Sequence, residues 1–370
     1  MATPGPTRSR LRRVAALFGA HHLEHGPRQL ALFLAVGAAL ALAGGVGVAW
    51  AAGFDAVAAR FRNPTLVWFP IALAGAVASH IGYVLAYREV AYVDEGTRIG
   101  PLRAGVLVTT GFGIFVPRGG FTLDLEALRD LGVPPREARV RVLGLGSLEY
   151  VVLATGACVC AFLLLVRHSQ AERAVTLPWA IGVPAGTLLA LLALRFRGRL
   201  SRGRLGGMLQ PSLDGIAVVG KILGSPRRHG ARALVGMSVY WVSEVFVLWA
   251  CLAAFTGHAP SVPETVVGYA TGYALTRRTL PLAGAGAVEA LLPFALVWVG
   301  FALAPAVLAV FAYRLFNVWL PVGPALAGLF VLRRRPPRRL VSLPADAEVG
   351  GDDRDVEPVE GAGRGDDVDG

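Results

Sequence analysis

The sequence predicts an all-α integral membrane protein, a polytopic bundle of about seven or eight transmembrane helices with one re-entrant segment. Three observations carry this. Of 370 residues, 54% are hydrophobic and only 16% charged, against about 45–50% and about 25% in a soluble domain. Uncharged apolar runs follow one another along the chain, several long enough to read as membrane spans. The arginines cluster at the ends of these runs, as the positive-inside rule requires. The net charge of +11 conceals an acidic end: residues 346–370 hold ten acidic residues and two arginines. The rest of the chain has 34 basic and 15 acidic residues, a net of +19. So basic a chain could suit nucleic acid, but arginines confined to the flanks of apolar runs exclude that partner.

The elements follow in order. Residues 1–29 form a basic N-terminal segment expected in the cytoplasm. Residues 30–332 form the transmembrane domain, and residues 333–370 a cytoplasmic tail, basic and then acidic. Leu30–Ala52 is the first span; it is too long and too far from the start for a cleaved signal h-region, despite Ala49-Trp50-Ala51. Leu66–Tyr87 is the second. Ala104–Val116 is apolar but too short to cross about 30 Å at about 1.5 Å per residue. Leu143–Val166 and Pro178–Leu194 are spans, and Leu205–Leu223 is weakly amphipathic and suited to the interface. Leu234–Phe255 is a span, Val266–Leu280 is short, and Val288–Phe301 and Ala306–Leu332 complete the bundle. The tail after Arg339 is rich in Gly and Asp and lacks aromatics, a composition that favours disorder.

Charge parity orders the crossings. The N-terminus, Arg195–Arg204, Arg227–Arg232 and Arg333–Arg339 are the strongest basic clusters and belong together on the cytoplasmic side. This holds if Ala104–Val116 enters the membrane and turns back, keeping Arg118, Arg129, Arg136, Arg139 and Arg141 inside. Gly111, Gly113, Pro117, Gly119 and Gly120 allow such a reversal. Both termini are then cytoplasmic, in a multi-pass protein of the cell membrane. Thr110-Gly111-Phe112-Gly113 before Pro117 and Thr271-Gly272-Tyr273-Ala274 before Pro281 hint at an internal repeat of interrupted helices; chance similarity in a Gly- and Ala-rich chain is the other explanation.

Charged residues inside spans cost about 2.5–3.5 kcal/mol on insertion scales and are functional candidates by default. They are Glu149, Glu244 with Tyr240 one turn before it, Glu289 after the flexible Pro281-Leu282-Ala283-Gly284-Ala285-Gly286, and Arg314 with Asn317 on the next turn. Internal Glu–Arg pairing that merely holds helices together is the competing explanation. Arg277 and Arg278 either snorkel to the interface or form a basic pocket for a lipid phosphate. His80 is expected to be a packed polar residue. Cys158, Cys160 and Cys251 all lie in apolar runs, and the Cys-x-Cys spacing puts 158 and 160 on different helix faces, so buried inert thiols are expected and no metal. The motifs of soluble enzymes, a phosphate-binding glycine loop, His-Glu-x-x-His and Gly-x-Ser-x-Gly, do not occur. The sequence therefore implies no catalytic residue, no cofactor and no enzyme.

Two segments resemble the transmembrane region of the lysylphosphatidylglycerol synthase family, the flippase-like membrane proteins. The more specific is Pro281-Leu282-Ala283-Gly284-Ala285-Gly286-Ala287-Val288-Glu289-Ala290, followed by Tyr313-Arg314-Leu315-Phe316-Asn317-Val318-Trp319-Leu320-Pro321. It is similar to that family's late block of a Pro- and Gly-rich turn, a Glu, and a Tyr-Arg helix ending at Pro. The other begins Pro117-Arg118-Gly119-Gly120, with Phe121 where the family often has Glu, and runs through Gly132-Val133-Pro134 to Glu149.

The resemblance covers roughly residues 30–332. It implies a bundle that binds or moves phospholipid or a lipid-linked substrate in the cytoplasmic membrane. Arg118, Glu149, Arg277, Arg278, Glu289, Arg314 and Asn317 would line the site, and Gly111, Gly113, Pro117, Gly119, Pro281, Gly284 and Gly286 would break the helices. The soluble aminoacyl-transferase domain of bifunctional members has no counterpart in this sequence, so synthase activity is not implied. A membrane enzyme acting on a lipid-linked substrate would need a nucleophile near a base. A non-transporting scaffold would need its buried charges only to pair with one another.

Overall fold

The computed structural model describes residues 27–93, 96–113, 120–167, 169, 171–200, 204–224, 228–274 and 281–334. All regular structure among them is helical. The described elements belong to one compact unit, Met1–Pro336; the tail lies outside the described residues. In chain order the helices are α1 (Pro27–Ala52), α2 (Phe54–Phe61), α3 (Trp68–Tyr92), α4 (Pro101–Gly113), α5 (Gly120–Asp130), α6 (Pro135–Val166), α7 (Arg173–Arg195) and α8 (Arg197–Leu200). After them come α9 (Arg204–Gly224), α10 (Arg228–Thr256), α11 (Val262–Tyr269), a π-helical turn Ala270–Ala274 and a 3₁₀ turn Pro281–Gly284. The chain then forms α12 (Ala287–Trp298), α13 (Leu303–Arg314), a second π-helical turn Leu315–Trp319 and α14 (Val322–Arg334).

Among the described residues six helical stretches are long and apolar enough to cross a membrane: Arg28–Ala52, Trp68–Tyr92, Pro135–Val166, Arg173–Arg195, Gly230–Thr256 and Leu303–Phe330. Ala287–Trp298 is apolar but shorter. The outward faces are themselves apolar. Leu32, Leu42 and Val46 on α1 and Ile181, Leu188 and Leu191 on α7 are exposed. Contiguous apolar surface of this kind is a liability in water and is satisfied by lipid, so the architecture is that of a multi-pass membrane protein.

The core is organised around the pairing of α3 with α10, the most extensive helix contact. Gly75 faces Ser243 and Val247, Ser79 faces Glu244, and Gly82 faces Gly236 and Tyr240. Numbers rise on one helix as they fall on the other, so the two run antiparallel. The crossing point is reciprocal. A Cβ on Gly82 would lie 2.6 Å from the Tyr240 nitrogen and 2.7 Å from the Gly236 oxygen. A Cβ on Gly236 would lie 2.7 Å from the Ala86 nitrogen and 2.8 Å from the Gly82 oxygen. Only glycine allows two backbones to approach this closely, and close packing is what holds helices together where lipid removes the hydrophobic drive.

On either side of this axis the order of elements repeats. The long α3 is followed by α4 and α5, of 13 and 11 residues, and then by the long α6. The long α10 is followed by α11 with its π turn, then by α12 of 12 residues, and then by the α13–α14 stretch. At about 1.5 Å per residue the four short helices measure about 20 Å or less. Gly111 and Gly113 lie in the last turn of α4, which stays helical through both; residues 114–119 lie outside the described part.

The two ends of the bundle differ in chemistry. At one end the Thr65 N–H donates to the Ala254 carbonyl at 2.8 Å, and the Glu172 N–H to the Trp298 carbonyl at 2.9 Å. At the other, Arg141 donates to the carbonyl of Ala91, Arg88 to that of Ile99 at 2.8 Å, and Arg197 pairs with Asp214, with Arg136 4.0 Å from the same carboxylate. Arg136 of α6 and Arg197 of α8 thus meet at Asp214, at the same end as Arg141 and Arg88. α9, expected at an interface, packs along α6, with Leu213, Val218, Val219 and Ile222 buried.

Candidate functional site

The buried polar residues converge on the C-terminal turn of α13. Tyr313 and Arg314 are consecutive and so project about 100° apart, towards two different helices. Both are fully buried, and each meets a glutamate.

Arg314 meets Glu289 of α12. The guanidinium Nε donates to Glu289 Oε1 at 2.7 Å, and both residues are 1% exposed. Glu289 Oε2 accepts the Gly286 N–H at 2.7 Å, so the same carboxylate caps the start of α12. The chain reaches this cap through an unusual turn. Leu282 has φ +55°, Gly284 +67° and Gly286 +85°. At Leu282 that conformation is strained. At Gly286 only glycine fits for a second reason: a Cβ there would lie 2.9 Å from the Leu40 carbonyl of α1. α1 returns the approach, since a Cβ on Gly44 would lie 2.5 Å from the Gly286 oxygen. The glycine-rich break is therefore wedged against α1 while its far side positions the ion pair.

Tyr313 meets Glu244 of α10, which gathers donors from three other segments. Ser79 of α3 donates to Oε1 at 2.5 Å, and Tyr313 donates to Oε2 at 2.7 Å. Asn317, in the second π turn, donates to Oε2 as well, and Tyr269, the last residue of α11, lies 3.4 Å from it. The Tyr269 and Tyr313 hydroxyls are 3.2 Å apart, and Asn317 Nδ2 is 2.8 Å from the Tyr313 hydroxyl. Tyr269 and Tyr313 both stand at or beside the start of a π-helical turn. Such turns widen a helix locally and often mark functional positions.

A cavity of about 370 Å³ opens at the end of the bundle opposite the arginine clusters, lined by Arg60, Thr256, His258, Ser261, Glu264 and Phe301 among others. Burial pushes the Glu264 carboxyl up, and a hydrogen bond from Ser261 works against it. Glu264 lies five residues before Tyr269 on α11.

Of the expected site residues, the structure pairs Glu289 with Arg314, whereas Asn317 joins the Glu244 cluster on the other face of α13. Glu149 is buried on α6, which packs against α7, α9, α10 and α11. Arg118, Pro117, Gly119, Arg277 and Arg278 lie outside the described residues. Pro281, Gly284 and Gly286 form the expected break before α12. Glu244 emerges as the residue with the richest set of polar partners. Ser79, Tyr269 and Tyr313 were not among the candidates, because a hydroxyl in an apolar run carries no signal until its partner is known. His80 packs 5.0 Å from the Phe112 ring with Nδ1 2.9 Å from the Ala76 carbonyl, as expected of a packed polar residue. The three cysteines are free, Cys251 being buried. Among the described residues no group of His, Cys, Asp and Glu is arranged to hold a metal ion.

No family model matches the sequence, and no curated protein matches it.

Proposed function

We propose that the chain is a flippase-like protein of the cell membrane that binds and moves phospholipid or a lipid-linked substrate, with both termini in the cytoplasm. The observation that carries this is the Glu289–Arg314 pair closed by a strained, glycine-rich hinge. Arg314 is the natural partner of a headgroup phosphate. In the observed arrangement Glu289 occupies it. Because Glu289 also caps α12, a shift of the Leu282–Gly286 turn moves carboxylate and helix together and frees the guanidinium for an anionic headgroup. In this scheme α4–α5 and α11–α12 are two hairpins that enter the membrane and turn back, an arrangement common in transporters with inverted repeats. The resemblance of residues 281–290 and 313–321 to the lysylphosphatidylglycerol synthase transmembrane region supports the same substrate class. The cavity holding Arg60 and Glu264, one cationic and one anionic side chain, suits a zwitterionic headgroup on the opposite side.

The buried contact itself favours a second possibility, a scaffold in which the pair only joins α12 to α13. Fluorescent phospholipids of several headgroups in vesicles carrying the purified protein decide between them. Protein-dependent movement between leaflets, lost in Glu289→Gln while the protein stays folded, is expected. Absence of movement for every headgroup would leave only the scaffold. The topology has its own test. With the three native cysteines replaced, Arg129→Cys should resist a membrane-impermeant thiol reagent applied from outside the cell. Strong labelling would place α5 on the outer side.

A further inference from the structure

Two buried carboxylates flank α13, and only Glu289 is used above. Glu244 is 1% exposed at the junction of α3, α10, α11 and α13. The four donors described around it, Ser79, Tyr269, Tyr313 and Asn317, are all uncharged. Three of them are hydroxyls, and a hydroxyl either donates or accepts by rotating one torsion.

We infer that Glu244 is a reversible proton-binding site that couples proton movement to the transport reaction; the coupling, but not the site, rests on the function proposed above. With Glu244 ionised, Ser79 and Tyr313 donate to its two oxygens, as observed. When a proton arrives, one carboxylate oxygen becomes an O–H donor. Ser79 Oγ, 2.5 Å away, or the Tyr313 oxygen, 2.7 Å away, then turns to accept it. If Tyr313 accepts, its own hydrogen turns to Tyr269, 3.2 Å away, where either oxygen can be the donor. Only O–H bonds form and break, and no co-reactant beyond a proton is required. Both protonation states leave the cluster hydrogen-bonded, which a charge pair such as Glu289–Arg314 does not permit. Glu264 borders the cavity and stands five residues, about 7.5 Å, before Tyr269 on the same helix.

From α3, His80 turns its Nδ1 to the Ala76 carbonyl, and Tyr83 packs edge-on against Tyr240. From α13, Arg314 is held by Glu289. Tyr240, on α10 itself, also packs with Trp241. From α11 the facing group is Tyr269, and Glu149 is buried on α6.

Infrared spectroscopy of the purified full chain in detergent tests the site without transport. A protonated-carboxyl C=O band that grows as pH falls is expected, absent in Glu244→Gln and retained in Glu289→Gln. Tyr313→Phe removes a hydroxyl 2.7 Å from the carboxylate and should change the pH at which the band appears, whereas Phe at a tyrosine outside the cluster should not. A band unchanged by Glu244→Gln, or one constant across pH, overturns the site. So does sodium abolishing the titration, which would assign the cluster to a metal cation. In vesicles, a pH gradient should change the rate of lipid movement by the wild type and not by Glu244→Gln. Equal rates with and without a gradient overturn the coupling. If the wild type moves no lipid, the function proposed above fails, and the infrared titration alone still decides whether Glu244 binds a proton.

Discussion

The two faces of α13 solve the same problem in opposite ways. Each buries a carboxylate from a neighbouring helix, in a region where an isolated charge is expensive. On the Arg314 face the answer is a counter-charge. Glu289 Oε1 takes the guanidinium and Oε2 the Gly286 N–H, so both oxygens are committed to donors that cannot reverse. On the Tyr313 face the answer is a set of uncharged donors, mostly hydroxyls, around Glu244. The first arrangement has one low-energy state, which moves only if the hinge moves. The second has two and switches by rotating hydrogens. A helix that carries both on adjacent residues can link a backbone movement to a protonation event, because shifting α13 disturbs each.

The largest effect should come from breaking the committed face. Arg314→Gln leaves Glu289 buried without its counter-charge, and removing one partner of a buried pair costs about 3–5 kcal/mol. Glu289→Gln keeps an amide oxygen for Arg314 to bond and is cheaper to bury than a carboxylate, so it should cost less and leave the protein folded. The double variant removes both charges and should recover most of the loss. Thermal stability in detergent across the four proteins gives the coupling. Near-additive losses would mean that the two residues do not act as a pair. Full recovery in the double variant with lipid movement intact would assign the pair to structure alone, leaving the hinge without a substrate role.

A smaller effect should separate the contacts on the other face. Tyr313→Phe removes a hydroxyl 2.7 Å from Glu244, whereas Tyr269→Phe removes one at 3.4 Å. Hydrogen bonds to charged groups contribute about 1.5–3 kcal/mol in soluble proteins. Interhelical ones inside membranes average about 0.6 kcal/mol, reaching about 1.7. Tyr313→Phe should therefore cost about 1–2 kcal/mol and Tyr269→Phe clearly less. Equal losses would show that the two hydroxyls bond Glu244 equally well and that the switch is shared.

The long elements were legible in the sequence, while the cluster at α13 was only half so. Spans at Leu30–Ala52, Leu66–Tyr87, Leu143–Val166, Pro178–Leu194 and Leu234–Phe255 correspond to α1, α3, α6, α7 and α10, because an apolar run reports burial in lipid directly. The ends were less exact: α6 begins at Pro135, since its first turns carry Arg136, Glu137, Arg139 and Arg141 and fall below any hydropathy threshold. The short helices Phe54–Phe61 and Gly120–Asp130 went unread for the same reason, being polar enough to pass for loops. The break before α12 was visible because Pro and Gly announce it, and Glu289 and Arg314 stood out as charges in apolar runs. Glu244 stood out too, but its importance depends on Ser79, Tyr269 and Tyr313, which lie 165, 25 and 69 residues away. Nothing local distinguishes these hydroxyls from others in the bundle. The π turns Ala270–Ala274 and Leu315–Trp319 were equally silent, because a change of helical pitch leaves the apolar pattern of so short a stretch unchanged.

The smallest expected effect belongs to a third carboxylate, and it sharpens the contrast because one hydroxyl donor and an open cavity stand where the other two have a counter-charge or a buried cluster. Glu264 borders the open cavity, partly buried, with Ser261 as its hydrogen-bond donor. Burial disfavours its charged form and raises its pKa in the folded protein. A carboxylate with a raised folded pKa binds its proton more tightly folded than unfolded. Its contribution to stability is therefore present below the unfolded value and lost as pH rises through the folded one. The wild-type thermal midpoint should accordingly fall relative to that of Glu264→Gln as pH rises through and above the ordinary carboxylate range, since the amide never ionises. Ser261→Ala removes the interaction that opposes the shift, so it should make the decline steeper. The effect should be modest, because water at the cavity screens the charge. A midpoint difference that does not change with pH would mean that Glu264 binds its proton equally well in the folded and unfolded chain. A difference that grows in favour of the wild type as pH rises would mean that the folded protein favours the anion, and the carboxyl at the cavity would then be a poor proton acceptor.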